Sequence, residues 1–173
     1  GSNLKNIINK KKLGFINMNI NAVISDNPNA NGLEIAKKEN IKTFVIDSKK
    51  KLSESLNMIL NEMQIDIIIL AGFMKILPED FVKTYSGKIL NIHPALLPKY
   101  GGKGMYGMNV HNAVIAGKEK KSGITIHLVN EKYDDGATIA QFECNLNVHD
   151  TPQSLAQKVS ALERSHFPNT IEE

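Results

Sequence analysis

The sequence predicts an α/β fold: an open twisted sheet, parallel in its amino-terminal half with helices on both faces, and antiparallel towards its carboxyl end. Three observations carry that reading. Short β-branched runs alternate with helical stripes between residues 20 and 90, the pattern of repeated strand-helix units. Residues 65–70 (Ile-Asp-Ile-Ile-Ile-Leu) are almost all apolar or β-branched, the mark of a strand buried on both faces of a parallel sheet. Residues 123–129 instead alternate Ile124, Ile126 and Leu128 with Thr125, His127 and Val129, a half-buried pattern suited to antiparallel pairing with residues 137–142 across the turn 130–136.

Taken in order, Gly1, Ser2 and Asn3 precede Leu4, Ile7 and Ile8, whose spacing marks one helical face. Ser2 or Asn3 therefore stands where a helix cap belongs, and such a helix start offers free N–H groups and a positive dipole end to an anion. Residues 20–24 read as a strand stopped by the turn chemistry of Ser25, Asp26, Asn27 and Pro28, and residues 32–38 as a short helix. A second unit pairs strand residues 43–46 with a core-directed stripe of Leu52, Leu56, Ile59, Leu60 and Met63. After residues 65–70 the chain leaves through Ala71 and Gly72, and Pro78 precedes a short helix carrying Phe81 and Val82. Residues 87–90 return as a strand that runs into Asn91 and His93. Residues 108–116 have helical spacing, and Thr151-Pro152 opens a last helix with Leu155, Val159 and Leu162 inward.

At 173 residues the chain is expected to form one domain, 1–173, that buries its core without disulfide or metal staples. Its single cysteine, Cys144, cannot close an internal disulfide and has no neighbouring histidine or glycine elbow, which excludes a disulfide scaffold and thiol catalysis. The net charge of +3 is mild and the lysines are spread rather than gathered into one long block, with local density at Lys10–Lys12, Lys49–Lys51 and Lys118–Lys121, so no nucleic acid is expected as a partner. No apolar run approaches the roughly 18 residues of a membrane span, and no signal pattern opens the chain. The expectation is a cytoplasmic enzyme of small molecules, with a homodimer left open.

Residues 88–107 are the stretch the chain is organised around. On an extended strand, residues two apart project to one side, so the Asn91 carboxamide and the His93 imidazole converge on one small volume and can cradle an oxyanion. Pro94 and Pro98 stiffen the loop after this strand, while Gly101, Gly102, Gly104 and Gly107 let its backbone bend towards a ligand. His111, His149 and His166 lack metal-ligand spacing, and no metal is expected.

The decapeptide Asn-Ile-His-Pro-Ala-Leu-Leu-Pro-Lys-Tyr, residues 91–100, resembles the signature of the phosphoribosylglycinamide formyltransferase family, folate-dependent enzymes of purine synthesis. The resemblance covers nearly the whole chain and agrees with a Rossmann-like sheet. In that family an apolar strand precedes the Gly-Ser-Asn-Leu turn, so the first strand is expected to be missing here. The resemblance implies transfer of a formyl group from 10-formyltetrahydrofolate to the amine of glycinamide ribonucleotide, without a metal.

It further implies a catalytic role for Asn91, for a protonated His93 and for Asp134, the last aligned on the motif Asp134-Asp135-Gly136-Ala137-Thr138-Ile139-Ala140-Gln141. Asp135 stands where the family carries a small residue and puts a like charge beside Asp134. Gly1, Ser2 and Asn3 would hold the substrate phosphate and Glu163 its ribose. Met74, Lys75, Ile76 and Leu77 would border the folate pocket, together with Asn91, Asn130 and Asp134. A formyltetrahydrofolate deformylase or another formyltransferase of the same fold stays open as an alternative. An inactive nucleotide-binding module is the remote one, since it would require the loss of Asn91, His93 or Asp134.

Overall fold

The computed structural model describes residues 1–46 and 52–172. In chain order the elements are α1 (Ser2–Lys12), β1 (Ala22–Ser25), α2 (Asn31–Lys38), β2 (Lys42–Val45), α3 (Leu52–Glu62), β3 (Ile67–Leu70), α4 (Glu79–Thr84), β4 (Lys88–His93), α5 (Met108–Ala116), β5 (Lys121–Leu128), β6 (Thr138–Asn145) and α6 (Pro152–Glu172). The expected strand-helix alternation is present, with boundaries shifted by a residue or two. The Lys49–Lys51 run lies outside the described residues.

The strands form two sheets. β1 and β2 pair in parallel, and a four-stranded sheet has the order β3-β4-β5-β6. Within the second sheet β3 and β4 are parallel, whereas β5 and β6 run antiparallel to their neighbours. Each parallel pair is joined by a crossover of helix length, α2 between β1 and β2 and α4 between β3 and β4, while the antiparallel β5 and β6 are joined by a turn.

Alternation along β4 distributes its side chains between two cores. Leu90 and Ile92 pack with Ile124 and Ile126 of β5, Val110 and Val114 of α5, and Leu155 and Val159 of α6. On the opposite face Ile89 joins Leu56, Leu60, Leu77 and Phe81 beneath α3 and α4. Asn91 and His93 lie on that same face as Ile89, further along the strand, so a surface that begins apolar becomes polar beyond the cover of α4.

Three expectations are corrected. The cap of α1 is Gly1, without a side-chain hydrogen bond; Ser2 is already the first helical residue, so neither it nor Asn3 acts as the cap. β3 is only half-buried rather than enclosed on both faces, because it forms the edge of the four-stranded sheet. β5 is buried from Ser122 to His127 rather than on alternate residues, since its polar face is also covered and finds partners there. Among the described residues no helix is long and apolar enough to cross a membrane.

Phe81 is fully buried at the centre of the second core, and Val148 is almost fully exposed. Phe81→Ala should lower the free energy of unfolding by about 3–5 kcal/mol in urea denaturation, through lost transfer energy and the cavity left behind. Val148→Ala should change it by less than about 0.5 kcal/mol. Equal effects would show that this cluster is not the core of its half of the chain.

Candidate active site

The polar end of β4 meets β5 in a register that sets Asn91 opposite His127 and His93 opposite Thr125. Facing residues of paired strands lie within side-chain reach of one another. The Asn91 amide donates from Nδ2 to His127 Nε2 at 3.2 Å, and His127 Nδ1–H donates to the carbonyl of Leu128 at 2.8 Å. A carbonyl only accepts, so Nδ1 carries the proton and Nε2 is left as the acceptor. One amide hydrogen of Asn91 is thereby engaged, and the other remains to meet a developing anion.

His93 is committed in the complementary way. Its Nε2–H donates to the carbonyl of Tyr100 at 2.7 Å, leaving Nδ1 as the working atom, 3.5 Å from Asp134 Oδ2. Asp134 also receives the backbone N–H of Gly102 at 2.8 Å on Oδ2 and lies 3.6 Å from His127 Nε2 through Oδ1. Its backbone has a φ of 50°, a left-handed conformation that Asp adopts more readily than most residues. Gly101 allows the approach: a Cβ there would stand 3.2 Å from the Cβ of Asp134 and 2.5 Å from Leu97 Cδ2.

Burial pushes His93 below its ordinary pKa, and the Asp134 carboxylate and Tyr100 carbonyl only partly offset this. At neutral pH this direction favours the neutral His93 ring. Burial acts on Asp134 in the raising direction, but the His127 and His93 rings in their protonated forms, together with the Gly102 N–H, hold it below the usual carboxylate value. The site is thus a carboxylate set among imidazoles, ready to stabilise a proton that arrives on His93.

Thr125 organises the loop that comes after β4. Its hydroxyl donates to the Ala95 carbonyl at 2.7 Å and accepts the Leu97 N–H at 3.0 Å and the Gln141 amide at 2.9 Å. Asp135, by contrast, is more than half exposed and turns to Asn130 Nδ2 at 3.4 Å and Lys132 Nζ at 4.0 Å. The structure therefore separates the two adjacent acids, with Asp134 directed to the histidines and Asp135 to solvent.

The other anticipated residues fall in three places. Asn3 Nδ2 donates to Glu163 Oε2 at 3.1 Å, bringing two of them together between α1 and α6. Burial raises the Glu163 pKa, which the Asn3 amide only partly counters. Met74 and Ile76 expose apolar surface on the loop after β3, and Lys75 forms an ion pair with Asp26 at the end of β1. Leu77 is instead a core residue, packed near Phe81 and Ile89. Asn130 accepts the Lys132 N–H in the loop that leads to Asp134. Asp26, Lys75 and His93 all sit at or just beyond the carboxyl ends of parallel strands, where open α/β sheets bind ligands.

Sequence reasoning missed the Tyr100 carbonyl and the Gly102 N–H, because main-chain groups leave no residue-type signal. Thr125 was legible only as one polar position in an alternating strand.

A formyl transferase family profile matches residues 1–171 of this chain. The phosphoribosylglycinamide formyltransferase of Haemophilus influenzae is 36% identical over 99% of this chain and 81% of its own length. The chloroplastic phosphoribosylglycinamide formyltransferase of Arabidopsis thaliana is 37% identical over 92% of this chain, which spans 56% of that relative. The crystal structure of phosphoribosylglycinamide formyltransferase from Anaplasma phagocytophilum superposes with a TM-score of 0.89 at 36% identity, covering 99% of this chain and 80% of that one.

Two buried histidines make folding sensitive to acid. Burial lowers the pKa of both His93 and His111, so the unfolded chain takes up protons before the folded one. Stability should therefore begin to fall as pH drops below about 6.5. Asp134 adds a second loss at lower pH, as its carboxylate is protonated through its depressed folded value. Urea midpoints should be lower at about pH 5.5 than at about pH 7.5, with a smaller fall in His111→Leu. A midpoint that rises on acidification would contradict the assignment.

Proposed function

We propose that this chain, which belongs to the formyl transferase family, transfers the formyl group of 10-formyltetrahydrofolate to the primary amine of glycinamide ribonucleotide. The observation that carries the reading is the convergence of the Asn91 amide, His93 Nδ1 and the Asp134 carboxylate at one strand end. The exposed apolar side chains of Met74 and Ile76 suit the flat ring of a pterin, and the helix start at Gly1, Ser2 and Asn3 suits a phosphate. In this reading Glu163, which accepts from Asn3, also accepts hydrogen bonds from a ribose.

Formyl transfer to an amine builds negative charge on the formyl oxygen. The free N–H of Asn91 donates to that oxygen, and a donor of this kind contributes roughly 3 kcal/mol. His93 adds a second donor once Nδ1 is protonated; its Nε2–H stays on the Tyr100 carbonyl throughout. Asp134 supplies the counter-charge that favours the imidazolium. The same carboxylate takes the proton released by the attacking amine, directly or through one water, and passes it to the departing folate nitrogen. One hydrogen thus moves from the substrate amine to folate as the formyl group moves the other way.

Asn91→Ala and His93→Ala should each lower kcat by at least roughly tenfold with smaller changes in KM, because both donors act on charge present mainly in the transition state. Steady-state assays with both substrates check this, and loss of binding at normal kcat would remove the assignment. Release of folate at the same rate without the amine substrate would favour the deformylase.

Asp134→Asn should depress kcat severely, whereas Asp135→Asn should leave it within about twofold. Removing the Asp134 charge lowers the His93 pKa further, so the alkaline limb of the kcat profile should move to lower pH. If Asp135→Asn is the crippled variant, the proton relay belongs to Asp135.

A further inference from the structure

The hydrogen bond that commits His93 Nε2 depends on a tyrosine in a conformation tyrosine rarely adopts. Tyr100 has a φ of 57°, in the left-handed region, where a Cβ crowds the next carbonyl. That turn aims its carbonyl at His93. Something outside the turn must hold it, and the side chain shows what does. The Tyr100 hydroxyl donates to Glu119 Oε1 at 2.9 Å, and the same oxygen receives Lys99 Nζ at 3.0 Å.

Two further features single out this anchor. Gly117 has a φ of −71°, open to any residue, yet a Cβ there would lie 2.1 Å from the Tyr100 hydroxyl oxygen. A side chain at 117 would displace that hydroxyl, so glycine there leaves it room and is not demanded by its own backbone. Tyr100 packs one side of its ring against the main core, but a cleft of about 190 Å³ opens beside it between Leu96, Val114 and Ser122, so the hydroxyl contact completes what packing leaves open on that side.

We infer that Tyr100 and Glu119 are positioning residues for His93. Glu119 anchors the Tyr100 side chain, the anchored side chain holds the left-handed turn, and the carbonyl so aimed keeps the proton of neutral His93 on Nε2. Nδ1 is thereby the atom left facing Asp134. The inference rests on the proposed function only in taking His93 as the working group. Asp134, His127 and His111 are the titratable groups that act on the ring from the elements packed around it; Glu119 reaches it only through Tyr100.

Nitrogen-15 NMR of the His93 ring, read beside kcat and KM on the full chain, tests this. Wild type should show neutral His93 as the Nε2–H tautomer alone. Glu119→Ala and Gly117→Ala should each admit the Nδ1–H tautomer and lower kcat roughly tenfold while KM stays nearly constant, the signature of a misoriented group. Glu119→Gln should restore both readouts, because its amide oxygen accepts the same hydroxyl proton. Tyr100→Phe removes the hydroxyl alone and should repeat the Glu119→Ala result even if Gly117→Ala fails to fold. An unchanged tautomer in Glu119→Ala and Tyr100→Phe overturns the inference, as does a Glu119→Gln chain no better than Glu119→Ala. If wild type transfers no formyl group, the functional reading falls, while the tautomer comparison still decides whether Glu119 positions His93.

Discussion

The register of β4 against β5 is the constraint on which the site depends. Pairing Asn91 with His127 and His93 with Thr125 brings four polar side chains to one face at the end of a sheet whose opposite face is core. A slip of one residue would send Asn91 and His93 to the apolar side and Leu90 and Ile92 to the polar one. The register is held by that cost, since Leu90, Ile92, Ile124 and Ile126 are all buried together.

Covering polar groups is expensive unless each has a partner, and this face meets the requirement almost wholly with neutral donors and main-chain carbonyls. His127 is satisfied by Asn91 and the Leu128 carbonyl, and Thr125 by Ala95, Leu97 and Gln141. His93 is the exception: Nδ1 faces Asp134 at 3.5 Å without a hydrogen bond that completes it. The group left incompletely satisfied in the resting state is the one the proposed chemistry uses. Among the described residues His111 Nδ1 and Ser122 Oγ are also buried without a hydrogen-bond partner, on α5 and β5.

Charge at the site follows from burial as much as from neighbours. The proximity of Asp134 would by itself raise the His93 pKa, yet desolvation outweighs it. Burial therefore makes a proton on His93 costly, and negative charge that develops nearby makes it favourable. Such a difference between resting and transition states is what allows a group to act on the rate rather than on binding alone.

Much of this was legible in the sequence, because local patterns report local physics. The alternation of strands and helices, the helical stripe Leu56 and Leu60, and the i, i+2 spacing of Asn91 and His93 all depend on backbone geometry that recurs in every protein. Local pattern alone reads both acids of the 130–136 turn as solvated turn formers; it is the family resemblance that favours Asp134, which the structure turns to the histidines while Asp135 faces solvent. Tertiary structure alone decided the rest. That β3 is an edge and β5 is buried on both faces depends on which strands pair, and side-chain periodicity does not encode pairing partners. That the His93 pKa is lowered depends on how deeply its ring is covered, a sum over residues distant in sequence. That Nδ1 and not Nε2 is its working atom depends on a main-chain carbonyl at Tyr100, and every residue carries such a carbonyl, so only the folded path of the loop shows which one matters.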